Sequence, residues 1–366
     1  PIIKECRTDQ AIKPIVCSTG QHNELIREVT EYFDIQTDYD LQLMKKGQTL
    51  TELTARCLSG LERVVDSCRP DCIVAQGDTT TVLAASMVGF LKKIPFVHVE
   101  AGLRTGRLDQ PWPEEFNRRV ASIGATLHCA PTEKARENLV SEGIHPETIS
   151  VTGNTVIDSL FWTIDKERER TNHWIGRYPY LENKKMVLVT GHRRENFGDG
   201  FKNVCEAIKQ LASGNKDIEF VYPVHLNPQA RAPVFEILSN SKNIHLIDPL
   251  SYPEFVWLMD RAVLIITDSG GVQEEAPSLG KPVLVTRDCT ERPEAIETGL
   301  VQLVGNNKSK IVEAASMLIR TFEKDKQRAE RLNSATPYGD GTAGKKITTL
   351  IGTSFGLVDE AHQKVA

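Results

Sequence analysis

The chain has 366 residues, 40% hydrophobic and 25% charged, with a formal net charge of −5. This length exceeds what one hydrophobic core usually supports, and therefore predicts two domains of roughly 150–200 residues. The charges are spread along the sequence without a basic block, which argues against a nucleic-acid partner. No apolar run approaches the roughly 20 residues that span a membrane, and we expect no signal peptide.

Eight cysteines are distributed through the chain, none of them in a Cys-x-x-Cys pair. Several lie in apolar, strand-like runs, as Cys72 does in CIVAQG. In a chain of this length they are typical of buried free thiols in a reducing cytoplasm. We therefore expect no metal site and a cytoplasmic protein.

The chain opens with a helical stretch, PIIKECRTDQA, although an α/β domain normally begins with a strand. We therefore expect a strand and its loop to precede Pro1 in a complete domain. Short apolar runs then alternate with amphipathic stretches, a pattern typical of a parallel sheet covered by helices. Helices are predicted over 50–68 and 79–93. The first set of predicted strands comprises residues 12–19, 71–77, 94–100, 126–131 and 148–153.

A second set of strands starts near residue 185 and repeats the same alternation. These strands comprise residues 185–191, 218–224, 243–248, 262–268 and 282–286. Helices are predicted near 201–213, 228–239, 252–260 and 308–322. The fold class is thus α/β, with two Rossmann-like, doubly wound domains. Ligands of such sheets bind at the carboxyl ends of the strands, so we expect the site in a cleft that both domains face.

The domain boundaries follow from these two sets. We predict an N-terminal Rossmann-like domain over 1–165 and a C-terminal one over 185–336. The polar and aromatic stretch 166–184 is typical of a helix end and a linker. A C-terminal segment, 337–366, is expected to be helical and to pack back on the first domain.

Carboxylates follow two predicted strands and one loop of the first domain. Asp78 lies in QGDTTT, Glu100 ends HVE, and Glu114 and Glu115 follow the loop QPWP. Helix capping is the simpler role for Asp78, and favourable charge at a helix start is the simpler role for Glu114 and Glu115. Together with Glu100 they also form a candidate acid–base set, provided that burial and repulsion separate their pKa values.

The sequence TDSGGVQEEA in the second domain leads from a strand into a short helix. Ser269, Gly270 and Gly271 suit an anion site, because a hydroxyl and backbone N–H groups meet there and the glycines admit a phosphate. Glu275, one turn later, is placed to reach ribose hydroxyls. A plain tight turn explains the same residues equally well.

Further basic side chains lie at predicted strand ends. His192 follows a strand and has Arg193 beside it, a set that suits a diphosphate or a leaving-group proton, with a surface loop and a helix-capping Asn196 as the alternative. Arg292 precedes a proline and is a candidate phosphate or sugar contact, with a surface salt bridge as the alternative. His22 and His225 lie at strand ends of different domains, where a structural role is equally compatible with the sequence.

Nine motifs occur here in the order found in the non-hydrolysing UDP-N-acetylglucosamine (UDP-GlcNAc) 2-epimerases, which the chain resembles from about residue 12 to residue 350. They are QGDTTT, HVEAGLRTG, PWPEE, TGNTVID, TGHRREN, YPVHLNP, TDSGGVQEEAPSLGKPVLV, TERPE and PYGDG. The resemblance implies the two-domain GT-B fold, a homodimer, and no metal or nicotinamide cofactor. It implies interconversion of UDP-GlcNAc and UDP-ManNAc, which supplies ManNAc units for cell-surface polysaccharides.

The resemblance also implies roles for individual residues. The catalytic positions are Asp78, Glu100, Glu114 and His192. The UDP-sugar positions are Leu250 and Phe255 at the uracil, Ser269, Gly270 and Gly271 at the diphosphate, Glu275 at the ribose, and Arg292. A second UDP-GlcNAc, acting as activator, corresponds to Gln21, His22, Arg193 and His225. Asn23 and Glu24 depart from the Arg and Gln usual after Gln21–His22, and the family's N-terminal strand with its phosphate-contacting Arg and Lys is absent from this sequence.

The chemistry that the resemblance implies is an elimination of UDP to 2-acetamidoglucal followed by re-addition. Removing the C2 proton on one face and returning it on the other needs two acid–base groups, which accounts for several carboxylates. Two alternatives stay open on the sequence: a UDP-sugar glycosyltransferase of the same fold, and a catalytically inactive nucleotide-sugar-binding protein.

Overall fold

The computed structural model describes residues 1–20, 23–191, 198–288, 290, 292–322 and 337–356. These residues form two compact units. The first comprises Pro1–Asp158 together with the described residues from Tyr338 onward, and the second runs from Ser159 to Pro337. Among the described helices, none has the length and apolar character required to cross a membrane.

The first unit is built on parallel strands covered by helices. A two-stranded sheet pairs β1 (Cys17–Ser18) with β2 (Tyr39–Asp40). A four-stranded sheet follows in the order β3 (Ile73–Gln76), β4 (Phe96–Val99), β5 (Leu127–Ala130) and β6 (Ile149–Val151). The helices are α1 (Ile2–Thr8), α2 (Asn23–Tyr32), α3 (Leu50–Cys68), α4 (Thr80–Lys92), α5 (Glu114–Gly124), α6 (Glu133–Ser141) and α7 (Thr155–Glu169), which continues into the second unit.

Local sequence signals fix the start and the buried face of α3. The Thr49 hydroxyl accepts the Glu52 N–H at 3.2 Å, and the Glu52 carboxylate accepts the Thr49 N–H at 2.9 Å. This reciprocal capping satisfies two backbone donors that the helix leaves open. One face of α3 then buries Leu53 and Cys57 in a cluster with Ala84 of α4. The amphipathic pattern in the sequence therefore places both helices against the same core.

The second unit is one parallel sheet of six strands in the order β12-β11-β10-β7-β8-β9. The strands are β7 (Lys185–Val189), β8 (Ile218–Pro223), β9 (Ile244–Ile247), β10 (Ala262–Thr267), β11 (Val283–Val285) and β12 (Val301–Leu303). The helices are α8 (Thr171–Arg177), α9 (Asp199–Gly214), α10 (Pro228–Leu238), α11 (Tyr252–Arg261), α12 (Val272–Ser278), α13 (Pro293–Glu297) and α14 (Lys308–Phe322). Strand order reverses between β7 and β10, which pair directly, with Ile266 opposite Val189. Doubly wound sheets bind ligands at the carboxyl ends of the strands at such a switch point.

The core of the second unit holds that switch point in place. Phe220 and Tyr222 of β8 and Leu264 and Ile266 of β10 are buried in one cluster with Ile208 of α9. Burial of this kind stabilises by roughly 1.5–3 kcal/mol for each large apolar side chain. The ends of β7 and β10 are thus carried by a well-packed platform.

The C-terminal part of the chain returns to the first unit. The Asp158 carboxylate holds the start of helix α15 (Ala343–Ser354), because its two oxygens accept the N–H groups of Ala343 at 3.1 Å and Gly344 at 2.7 Å. Just before it, the Asn154 N–H donates to the Tyr338 carbonyl at 2.6 Å. The segment that contains PYGDG is therefore anchored to the residues that follow β6.

The fold class predicted from the sequence is confirmed, with differences in detail. The strand predicted over 12–19 is limited to Cys17–Ser18, and the short strands β2 and β12 were not predicted. The stretch 166–184 contains the end of α7, in line with the expected helix end, but α8 and a 3-10 turn of the second unit occupy much of the expected linker. Trp174 and Leu181 are buried there, so apolar anchors in a polar-looking stretch explain the difference.

Candidate active site

Asp78 lies just beyond the carboxyl end of β3, where two residues of α5 contact it. The Arg118 guanidinium forms an ion pair with the Asp78 carboxylate, with Nη2 and Oδ2 2.7 Å apart. The Asn117 side-chain amide donates to the Asp78 main-chain carbonyl at 2.9 Å. Since 30% of the Asp78 side chain stays exposed, its carboxylate remains accessible to a ligand.

Glu100 lies at the corresponding position beyond β4. Its backbone is left-handed, with φ of 63°, which turns the chain sharply at the strand end. The Asn154 amide donates to Glu100 Oε1 at 3.3 Å. The other oxygen, Oε2, lies 3.4 Å from the point where a Cβ on Gly77 would be, so the carboxylate reaches across to the residue next to Asp78.

The first turn of α5 carries the third carboxylate. Glu114 begins the helix and is half-buried, whereas its neighbour Glu115 is fully buried. Positions i, i+3 and i+4 share one helix face, so Glu114 lies on the face that presents Asn117 and Arg118 to Asp78. Asp78 and Glu100 thus lie at neighbouring strand ends of the first unit, and Glu114 begins the helix that pairs with Asp78.

The strand below these carboxylates carries a buried neutral imidazole. The Nε2–H of His98 on β4 donates a hydrogen bond to the Gly77 carbonyl at 2.8 Å. Burial lowers the pKa of His98 to about 4, so the ring is uncharged at neutral pH. It supports the backbone beside Asp78 without adding a charge to the acid–base set.

In the second unit, the switch point is marked by two threonines. The hydroxyl groups of Thr190, after β7, and Thr267, at the end of β10, are 2.6 Å apart. Thr267 Oγ1 also accepts the N–H of Ser269 at 2.9 Å, and the Gln273 amide donates to the Ser269 carbonyl at 3.1 Å. Ser269, Gly270 and Gly271 thus form a braced turn at the position where such sheets bind phosphate groups.

Glu275 lies one turn into α12 and is buried. The Tyr252 hydroxyl donates to Glu275 Oε1 at 2.9 Å, and Oε2 lies 3.7 Å from the point where a Cβ on Gly271 would be. Burial, with Glu274 nearby and against the effect of the Tyr252 hydrogen bond, raises the pKa of Glu275 from 4.5 to about 7. Buried carboxyl groups with a raised pKa are typical of functional sites, which makes Glu275 a candidate site residue.

The other site residues expected in the second unit are distributed over α11, the start of α13 and the end of β8. Leu250 and Phe255 flank the start of α11, the helix that also supplies Tyr252, and both are half-buried. Arg292 precedes α13, and its Nε donates to Glu274 Oε1 at 2.5 Å. His225 is exposed after β8, and its Nδ1 accepts the Asn227 N–H at 3.1 Å. His192, Arg193, Gln21 and His22 lie outside the described residues.

Three supporting residues escaped the sequence reasoning: Arg118, Asn154 and Tyr252. Each is polar and buried or half-buried, and each meets its carboxylate from a distant part of the chain. The spacing of Asn117 and Arg118 after Glu114 was the available signal for the first of them. Among the described residues, no group of three His, Cys, Asp or Glu side chains is arranged to hold a metal ion.

Comparison with known proteins matches the sequence of the chain to one family. The family model described as UDP-N-acetylglucosamine 2-epimerase matches residues 4–352. The chain is 51% identical over 351 residues to the UDP-N-acetylglucosamine 2-epimerase of Yersinia pestis, which covers 95% of this chain and 93% of that protein. The chain belongs to the UDP-N-acetylglucosamine 2-epimerase family. The expected resemblance and the expected isomerase class are confirmed.

Solved structures of the epimerase family share the fold. The UDP-GlcNAc 2-epimerase of Neisseria meningitidis, bound to UDP-GlcNAc, is 45% identical with a TM-score of 0.88 and covers 96% of this chain and 95% of its own. The UDP-GlcNAc 2-epimerase of Methanocaldococcus jannaschii, in complex with UDP-GlcNAc and UDP, is 33% identical with a TM-score of 0.79. It covers 96% of this chain and 95% of its own.

Proposed function

We propose that this epimerase interconverts UDP-GlcNAc and UDP-ManNAc by inverting C2 of the sugar. The proposal is supported by Asp78 and Glu100 at neighbouring strand ends, with Glu114 at the start of the helix that pairs with Asp78, in a chain of this family. The Neisseria meningitidis relative, bound to UDP-GlcNAc, supports the substrate. This reaction supplies ManNAc units for polysaccharide synthesis.

The carboxylates act on C2. One of them takes the C2 proton while the C1–O bond breaks, and the electron pair of that bond leaves with UDP. A C1=C2 double bond forms, giving 2-acetamidoglucal. A second carboxyl then returns a proton to the opposite face of C2, and a β-phosphate oxygen of UDP attacks C1. Two acid–base groups are needed because removal and return take place on different faces.

The second unit holds the nucleotide. The turn at Ser269, Gly270 and Gly271 binds the diphosphate through its N–H groups, and His192 and Arg292 stabilise the charge that UDP gains as it leaves. The Glu275 carboxylate accepts hydrogen bonds from the ribose hydroxyls. Leu250 and Phe255 contact the uracil. The braced turn and the buried carboxylate support these roles.

Incubation in D2O tests this function. An epimerase puts deuterium on C2 of both recovered nucleotide sugars, because the proton leaves to solvent and returns from it. A glycosyltransferase transfers the sugar to an acceptor without labelling C2, and an inactive binding protein retains UDP-GlcNAc unchanged. Unlabelled C2 in the presence of slow substrate loss would therefore favour the transferase.

The chain is further proposed to form a homodimer through α4 and α5. The two helices pack together and expose apolar side chains on their outer surface, with exposed fractions of 74% for Phe90, 70% for Leu91 and 79% for Ile123. Exposed apolar patches mark interaction sites, and a two-fold axis would bury this face against the same face of a second copy. Leu91→Glu should shift the protein to monomers in sedimentation, whereas Met317→Glu, at an exposed position of α14, should leave a dimer. A dimer that survives Leu91→Glu and Ile123→Glu contradicts this surface.

A second UDP-GlcNAc is proposed to act as activator at Gln21, His22, Arg193 and His225. The exposure of His225 supports access to a ligand. Conversion of pure UDP-ManNAc should then begin with a lag that a trace of UDP-GlcNAc abolishes. A linear progress curve from the first turnover, unchanged by UDP-GlcNAc, would exclude the activator site.

We also propose a cytoplasmic setting, since all the described cysteines are free thiols.

A further inference from the structure

Arg118 connects the exposed carboxylate of Asp78 to a carboxylate inside the first unit. Its guanidinium has Nη2 2.7 Å from Asp78 Oδ2 and Nη1 3.6 Å from Glu115 Oε2. The Arg118 side chain is 8% exposed and that of Glu115 is 0% exposed. The three groups form a row that starts at the strand end and ends in the core.

The inner end of this row is fixed by the surrounding backbone. Glu115 Oε2 also accepts the N–H of Thr105 at 3.1 Å, so the loop before α5 holds the carboxylate in place. Arg118 lies one turn later on the same helix, an i,i+3 pair. The guanidinium therefore has little freedom to rotate away from Asp78.

The outer end of the row is fixed as well. Asn117, next to Arg118, donates its side-chain amide to the Asp78 carbonyl at 2.9 Å. The main chain and the side chain of Asp78 are thus both tied to α5, the helix that begins with Glu114. The orientation of one carboxylate and the position of another depend on the same helix.

A purely structural role explains this arrangement poorly. Burying a guanidinium costs more than its ion pairs return unless the geometry is excellent, and apolar residues of similar volume often serve a fold as well or better. Here the buried guanidinium pairs with Asp78, a carboxylate at a strand end whose side chain is 30% exposed. Because Arg118 contacts Oδ2, it fixes the orientation of that carboxylate.

We infer that Arg118, anchored by Glu115, is a positioning residue that orients Asp78 for proton transfer at C2. The inference rests on the proposed epimerase function and adds two residues to it. Arg118 itself does not touch the sugar. Its contribution passes through Asp78, so it disappears when Asp78 can no longer transfer a proton.

The test measures C2 deuterium incorporation in D2O together with UDP affinity by calorimetry. Arg118→Ala should slow incorporation about 10²-fold, the lower end of the range for acid–base catalysis, with UDP affinity unchanged. Added guanidinium should restore part of the rate. Arg119→Ala is the matched control, because Arg119 is the next residue on α5, is 39% exposed and pairs with Glu142. It should exchange at the wild-type rate.

A double variant separates positioning from folding. Asp78→Asn with Arg118→Ala should be within about twofold of Asp78→Asn alone, because residues that act as a unit are not additive. If Arg118→Ala does not fold, Glu115→Gln with Arg118→Met removes both buried charges together and should fold with the same loss of exchange. A folded Arg118 variant that exchanges at the wild-type rate, or losses that add fully in the double variant, overturns the inference alone. A wild-type chain that incorporates no deuterium overturns the proposed function and the inference with it.

Discussion

Glu275→Gln tests the energetic cost of keeping a carboxylate buried beside the proposed diphosphate turn. Below pH 4.5 the group is protonated in the folded and the unfolded chain. Between pH 4.5 and its folded pKa of about 7, the folded chain keeps a proton that the unfolded chain has lost. The folded state then binds more protons, so its stability falls as the pH rises through this window.

The magnitude follows from the pKa. At about 1.4 kcal/mol for each pKa unit, a rise from 4.5 to about 7 corresponds to about 3 kcal/mol of unfolding free energy lost by pH 8. Glutamine has a similar shape and no charge to bury. The Gln variant should therefore match the wild type near pH 4.5 and exceed it by about 3 kcal/mol at pH 8.

Urea unfolding at pH 4.5, 6, 7 and 8, followed by tryptophan fluorescence, measures this difference. Trp174 and Trp257 are buried in the second unit, so their emission reports the unfolding of the part that holds Glu275. Glu313→Gln, at an exposed position of α14 in the same unit, is the control and should show no pH-dependent difference. If the difference in unfolding free energy between wild type and Glu275→Gln stays constant from pH 4.5 to 8, the folded chain does not raise the pKa of Glu275.

The other predictions concern catalysis, binding and packing. Asp78→Asn, Glu100→Gln and Glu114→Gln should each lower kcat about 10²-fold or more with UDP affinity retained, and wild-type rates in all three would remove the acid–base assignment. Ser269→Ala should reduce the binding free energy of UDP in calorimetry by about 1 kcal/mol, the contribution of one hydrogen bond. An unchanged affinity would show that Ser269 does not contact UDP. Gly102→Ala places a Cβ 2.2 Å from the Ala135 carbonyl oxygen at φ of 93°, and should lower the unfolding free energy by about 2–4 kcal/mol. Gly106→Ala, also at positive φ but in open space, should cost less, and equal losses would show that the clash is relieved.

Sequence reasoning recovered the α/β class and most helices and strands because apolar runs and amphipathic stretches alternate regularly. It missed β2 and β12, which are two and three residues long and carry no period of their own. It placed a linker over 166–184, where Trp174 anchors a helix in the second unit. Short strands and isolated anchors are set by tertiary packing, which local pattern does not contain.

The candidate site shows the same division. Asp78, Glu100 and Glu114 could be named from strand ends and a helix start, because topology alone brings such residues to one edge. Their partners could not. Arg118 reaches Asp78 from α5, Asn154 reaches Glu100 from beyond β6, and each contact depends on how helices pack on the sheet.

In the proposed reaction, C2 inverts through loss and return of UDP. UDP-GlcNAc labelled with ¹⁸O at the oxygen between C1 and the β-phosphorus tests it directly. Once the C1–O bond breaks, the β-phosphate rotates and its oxygens become equivalent. The label should then move to non-bridging β-phosphate positions in recovered UDP-GlcNAc, at a rate at least comparable with epimerisation. Epimerisation that proceeds while the label stays entirely in the bridge would contradict cleavage of the C1–O bond.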